Sequence, residues 1–193
     1  MPNWALTQVV APVNEPVTLD ELKSQAHITH DVQDATLMSY LLAGRLRAEE
    51  YQRTSYITQT WRLTLDCIPT IPLKLLRGPV QSLVSVKVYD VEDTEHDVDL
   101  SNFYVETDHT PAKLMLKSSG SWPSVTLREV GAVKIEYVCG YGLDGATVPA
   151  TAKYAIVLFA SFADDNRAAD ESELPRSFHD LLQPTRIDVT EPW

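Results

Sequence analysis

Apolar positions recur at helical spacing near the start of the chain, switch to an alternating pattern in the middle, and return to helical spacing near the end. Thr18-Leu19-Asp20-Glu21 forms a capping box, with Thr18 as N-cap and Glu21 reaching back from the third helical position. Val17 and Leu22 occupy the positions of a hydrophobic staple. A short helix over about 18–28 follows. Asp31 is the candidate N-cap of a longer helix over about 31–54. Ala35, Met38, Leu42 and Leu46 form an apolar stripe on it, with Arg45, Arg47, Glu49 and Glu50 on the wetter side.

From Ile57 the period becomes two. Ile57, Trp61, Leu63 and Leu65 share one face, and Thr58, Thr60, Arg62 and Thr64 the other, as in a half-buried antiparallel strand. Pro69, Pro72 and Pro79 forbid a helix in the stretch that follows. Further strands are expected at Leu73–Leu76, Leu83–Tyr89 (Val84, Val86 and Val88 on one face), Phe103–Glu106, Lys113–Lys117 and Val133–Val138. Turn-forming runs at Asp90–Asp97, Ser118–Pro123 and Gly140–Gly145 separate or close them. A last helix over about 148–166 begins around Pro149, tolerated in a first turn, and is apolar on nearly every side from Ala152 to Ala163.

Asp164–Glu173 is polar and acidic, and the final stretch to Trp193 carries three prolines and too few apolar residues to fold alone. Helices at both ends of a run of strands give an α+β class. The expected architecture is a helical bundle core with an inserted antiparallel β region over about 57–139 and an extended C-terminal tail. Residues 1–173 form one domain in this reading and 174–193 the tail.

Composition narrows the function classes. Apolar residues make up 44% and charged residues 22%, ordinary values for a folded domain. The opening residues lack the basic and apolar regions of a signal peptide, and no apolar run is long enough for a membrane span. The expectation is a chain made and kept in a cytoplasm, with no membrane partner. Net charge is −11, from 27 acidic and 16 basic residues. That surface repels nucleic-acid phosphates and suits a protein that DNA slides past without tight binding.

Chemistry-bearing motifs are sparse. Gly140-Tyr141-Gly142-Leu143-Asp144-Gly145 spells GxGxxG between a strand and a helix, but no second parallel strand with a terminal acidic residue follows. Glycines at Gly140 and Gly142 more simply supply positive φ for a turn, a structural role. His27 and His30 fall where the first helix stops, and no third ligand stands at a regular offset, so capping is expected and not metal binding. Cys67 and Cys139 have no CxxC pattern and no nucleophile motif around them. Asp164, Asp165, Asp170, Glu171 and Glu173 read as a solvated acidic run and not as a magnesium site. No catalytic, cofactor or metal residues are assigned, and an enzyme is not expected. A nucleotide-binding domain using Gly140–Gly145 is the remaining enzyme-like alternative.

Several segments together resemble the head–tail connector proteins of tailed bacteriophages, specifically the adaptor class that includes adaptors of gene transfer agents. They are Pro16-Val17-Thr18-Leu19-Asp20-Glu21-Leu22-Lys23, the acidic helix start at Asp31–Asp34, Ile57-Thr58-Gln59-Thr60-Trp61, and Leu76–Val86 with Pro79-Val80-Gln81-Ser82-Leu83. Val138-Cys139-Gly140-Tyr141-Gly142 with Val148-Pro149, and Leu174-Pro175 with Leu181-Leu182-Gln183-Pro184-Thr185-Arg186, complete the set. The acidic loop Val91–Asp97 departs from the family pattern.

The resemblance implies a roughly dodecameric ring at the head–tail junction of a virion. The ring would be docked beneath a portal protein and would bridge it to a stopper or tail completion protein. It also implies a C-terminal segment reaching into the portal, with Leu181, Leu182, Pro184, Arg186 and Trp193 as the candidate portal contacts. Another neck role, stopper or tail terminator, is the alternative within the same class.

Overall fold

The computed structural model describes residues 3–70, 72–166, 174–189 and 191–193. Contacts group the chain into two compact units. One comprises Met1–Ala11, Thr58–Gly140 and Asp188–Trp193; the other comprises Pro12–Ile57 and Tyr141–Ile187. The first is a β unit and the second a helical unit. The β region is therefore inserted into the helical one, and both chain ends join the β unit.

In the helical unit, α1 (Leu19–Ala26) starts at the capping box read from the sequence. Glu21 N–H donates to Thr18 Oγ1 at 3.2 Å, and Thr18 N–H donates to Glu21 Oε2 at 2.8 Å. Val17 and Leu22, the staple pair, are buried. His27 ends the helix in the left-handed conformation with φ 55. The expected boundary of α2 shifts, because α2 spans Asp34–Gln52 and follows Gln33 with no side-chain cap. Asp31 is instead an ion-pair partner of Lys23 at 2.6 Å.

The larger correction concerns which face of α2 is buried. Leu37, Leu41, Gly44, Arg45, Ala48, Glu49 and Gln52 face inward. Met38, Leu42 and Leu46 are 57%, 42% and 51% exposed. The helix carries two apolar stripes, and the one with small residues wins. A Cβ on Gly44 would lie 3.1 Å from the Ile156 carbonyl oxygen, so the absent side chain lets the next helix approach closely.

That helix is α3 (Ala150–Asp165), which buries Ala152, Ala155, Ile156, Val157 and Ala160. Arg176–Leu182, where an extended tail is expected, forms α4, with Phe178 and Leu182 fully buried in the helical core. The apolar side chains in this segment are few, but they dock on a surface already formed by α2 and α3, and that burial offsets the ordering entropy.

The β unit holds a five-stranded and a three-stranded sheet. The larger has the order β1-β2-β8-β4-β5, where β1 is Trp4–Val10, β2 Gln59–Leu65, β4 Val80–Tyr89, β5 Glu95–Asp97 and β8 Val133–Cys139. The smaller has the order β3-β7-β6, from β3 (Leu73–Lys74), β6 (Phe103–Glu106) and β7 (Lys113–Leu116). Among the described residues every pairing between strands is antiparallel. One core serves both sheets, with Leu63, Leu65, Val86, Phe103, Leu114 and Ile135 among its buried members.

Strand β1 completes an edge that the sequence reading leaves open, pairing Trp4 with Leu65 and Val10 with Thr60. Val84 is 45% exposed and does not share a face with Val86 and Val88. The register of β4 against β8 shifts between Leu83 and Ser85, so the extra residue turns the intervening side chain to the other face. The expected turn at Asp90–Asp97 contains β5, paired with Lys87–Tyr89 across a tight connection.

Candidate functional site

The glycine-rich segment is the first place to look for chemistry, and its own chain fills it. Gly140 has φ 133, a conformation that glycine reaches most easily. Its N–H donates to Pro79 O at 2.9 Å and its carbonyl accepts from Gln81 Nε2 at 2.8 Å. Gly142 differs from the expectation, since its backbone is not in the positive-φ region. It is needed for close approach, because a Cβ there would meet Thr147 Oγ1 at 2.4 Å. At Gly145 a Cβ would meet the Pro16 carbonyl oxygen at 2.1 Å. Thr147 and Pro16 thus stand where a cradle for a pyrophosphate would have to open. Strand β8 also lies between two antiparallel neighbours, whereas a dinucleotide fold places its glycines between parallel strands.

The candidate metal residues do not converge. His27 is the left-handed cap of α1. Among the described residues no group of three His, Cys, Asp or Glu side chains could hold a metal ion. Asp164 and Asp165 end α3, while Asp170, Glu171 and Glu173 lie outside the described residues. No described helix is long and apolar enough to cross a membrane.

The acidic loop is a built hairpin. Asp90 Oδ1 accepts from the N–H groups of Glu92 and Thr94, each at 2.9 Å, and Asp90 Oδ2 lies 2.8 Å from His96 Nε2. The His96 contact, with the Thr94 N–H, holds the Asp90 carboxyl below the usual carboxylate range.

The C-terminal candidates divide between the units. In the helical unit Leu182 is fully buried, Leu181 and Arg186 are half-buried, and Pro184 is exposed. The Arg186 guanidinium sits 5.0 Å from the Tyr51 ring centroid. In the β unit Trp193 packs partly buried against the core, and its carbonyl accepts from Lys74 Nζ.

A polar network with no local sequence signal ties this segment to α2. Gln52 Nε2 donates to Leu182 O at 2.8 Å and also bonds Thr185 Oγ1, while Ile187 N–H donates to Gln52 O at 3.0 Å. The Tyr56 hydroxyl bonds Gln52 Oε1, and Tyr56 N–H donates to Glu49 Oε1 at 2.8 Å. Burial pushes the Tyr56 phenol far above its ordinary value, followed in weight by the Glu49 charge, so it stays a neutral donor. Glu49 Oε2 accepts from Arg45 Nη1 at 2.9 Å, and Arg45 Nε donates to Glu15 at 2.7 Å. A helix start was legible around α4, where Pro175 precedes Phe178, Leu181 and Leu182 at helical spacing. The network that holds it depends on contacts distant in sequence and had no such signal.

The network orders backbone, and a set of large apolar side chains stays exposed elsewhere. Met38, Leu42 and Leu46 line α2, and Tyr104 and Met115 form an exposed cross-strand pair. Trp4, Val9 and Val10 lie exposed on the edge strand β1. Surface of this kind suits burial against other proteins.

No protein-family model and no curated protein sequence matches the chain. Solved structures do. A chain in the neck of an empty gene transfer agent particle, computed with C6 symmetry, superposes with a TM-score of 0.79 at 18% identity, over 96% of this chain and 97% of that one. The fold is that of a gene transfer agent neck chain. A chain in the virion of a native gene transfer agent particle gives the same TM-score at 19% identity, with 96% of each chain covered. A third, in the neck of a native particle computed with C12 symmetry, gives 0.73 at 22% identity over 96% of this chain and 97% of that one.

Proposed function

We propose that this chain is a structural neck protein of a tailed phage or gene transfer agent particle. In this reading it is the adaptor, a ring of about twelve copies between the portal and a stopper or tail completion protein. It is made in the host cytoplasm and ends at the head–tail junction of the virion. The observation that carries the reading is the fold match, which runs nearly end to end in both chains. The glycine turn filled by Thr147 and Pro16 agrees with a non-enzymatic role.

Portal contact falls to Leu181, Pro184, Arg186 and Trp193, which keep exposed surface. Leu182 anchors the segment from inside and contacts the portal only if α4 detaches. The net charge of −11 supports passage of DNA without tight binding. Titration with duplex DNA at moderate salt is expected to give no saturable binding, and tight binding would contradict the passage role.

The adaptor role is tested by co-producing the chain with the portal protein encoded in the same genome and purifying through a tag on the portal. Co-purification is expected, weakened by Arg186→Glu combined with Pro184→Asp. A chain that ignores the portal yet binds a tail protein would be a stopper or terminator.

A further inference from the structure

Among the described residues the two sheets have four outer strands, β1, β5, β3 and β6, and three of them are guarded. Strand β5 is three residues long and carries Glu95, His96 and Asp97. In β3 the Lys74 N–H is bonded to the Pro192 carbonyl. Strand β6 is four residues long and ends on Glu106. Strand β1 is seven residues long, has no charged residue from Asn3 to Val13, and has no described strand on its outer side. Its register against β2 is regular from Trp4 to Gln8 and shifts only beyond. A long uncharged edge of this kind is a template for another strand.

The phase of the ladder fixes which backbone groups that edge offers. Asp66 N–H donates to Asn3 O at 3.4 Å, so Asn3 and Asp66 are a hydrogen-bonded pair. Such pairs alternate along an antiparallel ladder, so Ala5 and Thr7 bond to β2, and Trp4, Leu6 and Gln8 turn their N–H and C=O groups outward. The Gly140 N–H bond to Pro79 O, on the far side of β8, falls in the same phase. Side chains alternate too. Leu6 packs partly buried against the core of the β unit, which sets Trp4 and Gln8 on its face and the exposed Ala5 and Thr7 on the other.

We propose that two copies of this chain pair β1 with β1, antiparallel about a two-fold axis through Leu6. In that register Leu6 faces its own equivalent and Trp4 faces Gln8 of the second copy, so every outward N–H and C=O from Trp4 to Gln8 gains a partner. The strand also fits itself in its side chains. The two Leu6 side chains adjoin at the axis, each Trp4 lies diagonally within reach of the opposite Leu6, and no like charges meet. Against β5 or β6 of a second copy, the same edge would find only three or four residues, with acidic side chains among them. Two-fold pairing uses up β1 on both copies and leaves the guarded β5 outermost, so it stops at a dimer. A ring of equivalent copies about one axis holds no such two-fold contact. The pairing therefore belongs to the free chain and stands apart from the adaptor reading.

The test uses the full chain without portal, in reducing buffer because Cys67 is exposed. Sedimentation over a range of concentrations is expected to show a concentration-dependent dimer. Hydrogen exchange at single amides is expected to show Leu6 and Gln8 protected only where dimer is present, with Ala5 and Thr7 protected throughout. Ala5→Glu combined with Thr7→Glu alters two exposed side chains and sets acidic groups of the two copies opposite each other. It is expected to weaken the dimer at least about tenfold, with the thermal transition of the dilute monomer unchanged.

A chain that is monomeric at every concentration overturns the proposal. So does a dimer that survives the double substitution, or one that protects no β1 amide. Protection of Leu6 and Gln8 that appears only when portal is added assigns the edge to a strand of that partner, and overturns self-pairing while leaving the adaptor reading standing.

Discussion

Arg45 and Glu49 show how a charged pair can sit on the inward face of a helix. Charged side chains are rarely buried unless paired. Here both oxygens of the Glu49 carboxylate are used, one by Arg45 and the other by the Tyr56 N–H, and Arg45 turns its remaining edge to Glu15. The sequence pattern places both residues on the wetter side of α2, because spacing alone does not reveal a partner seven positions later or thirty positions earlier.

The cost of breaking such a pair exceeds the value of having it. Glu49→Ala leaves the buried Arg45 with Glu15 alone and strands the Tyr56 backbone donor, and is expected to lower stability by about 3 kcal/mol in urea unfolding. The double variant Arg45→Met with Glu49→Leu removes both charges and is expected to cost markedly less. A Glu49→Ala protein as stable as the unsubstituted chain would show that the network does not hold the core.

At the scale of elements, α4 changes the meaning of the C-terminus. Phe178 is fully buried, its ring 5.8 Å from that of Phe159, and Leu182 is buried beside it. Phe178→Ala is expected to cost about 3–5 kcal/mol. Removal of residues 174–193 is expected to abolish the cooperative thermal transition of the helical unit, followed by circular dichroism. A truncated chain that melts like the full one would restore the picture of a dispensable tail.

The same scale explains what was legible. α1 was readable to the capping residue because capping boxes and staples are local chemistry. Strand alternation located β2, β6, β7 and β8, since one half-buried face imposes period two. The buried face of α2 differs from its apolar stripe because Gly44 and Ala48 set how closely α3 can approach, and size is invisible to an apolar count. Val84 leaves the face of Val86 and Val88 because a bulge shifts the alternation by one. Strand β1 and helix α4 form on surfaces built by distant residues, so their short patterns carried little weight alone. In the glycine turn, Gly140 adopts φ 133, while at Gly142 it is the closeness of Thr147 that leaves no space for a side chain.

At the scale of the molecule, the apolar side chains form two buried cores, a few polar networks lie inside, and several large apolar side chains stay at the surface. The Gln52 and Glu49 networks order backbone, and the glycine turn is packed with its own chain. Facing solvent are the apolar stripe of α2 and the edge strand β1, on a chain of net charge −11. The most direct measurement is electron microscopy of this chain purified with the portal from its own genome. The account predicts a ring of about twelve copies, open at the centre and seated coaxially on the portal. Portal particles without added density, beside a chain that stays monomeric, would contradict it.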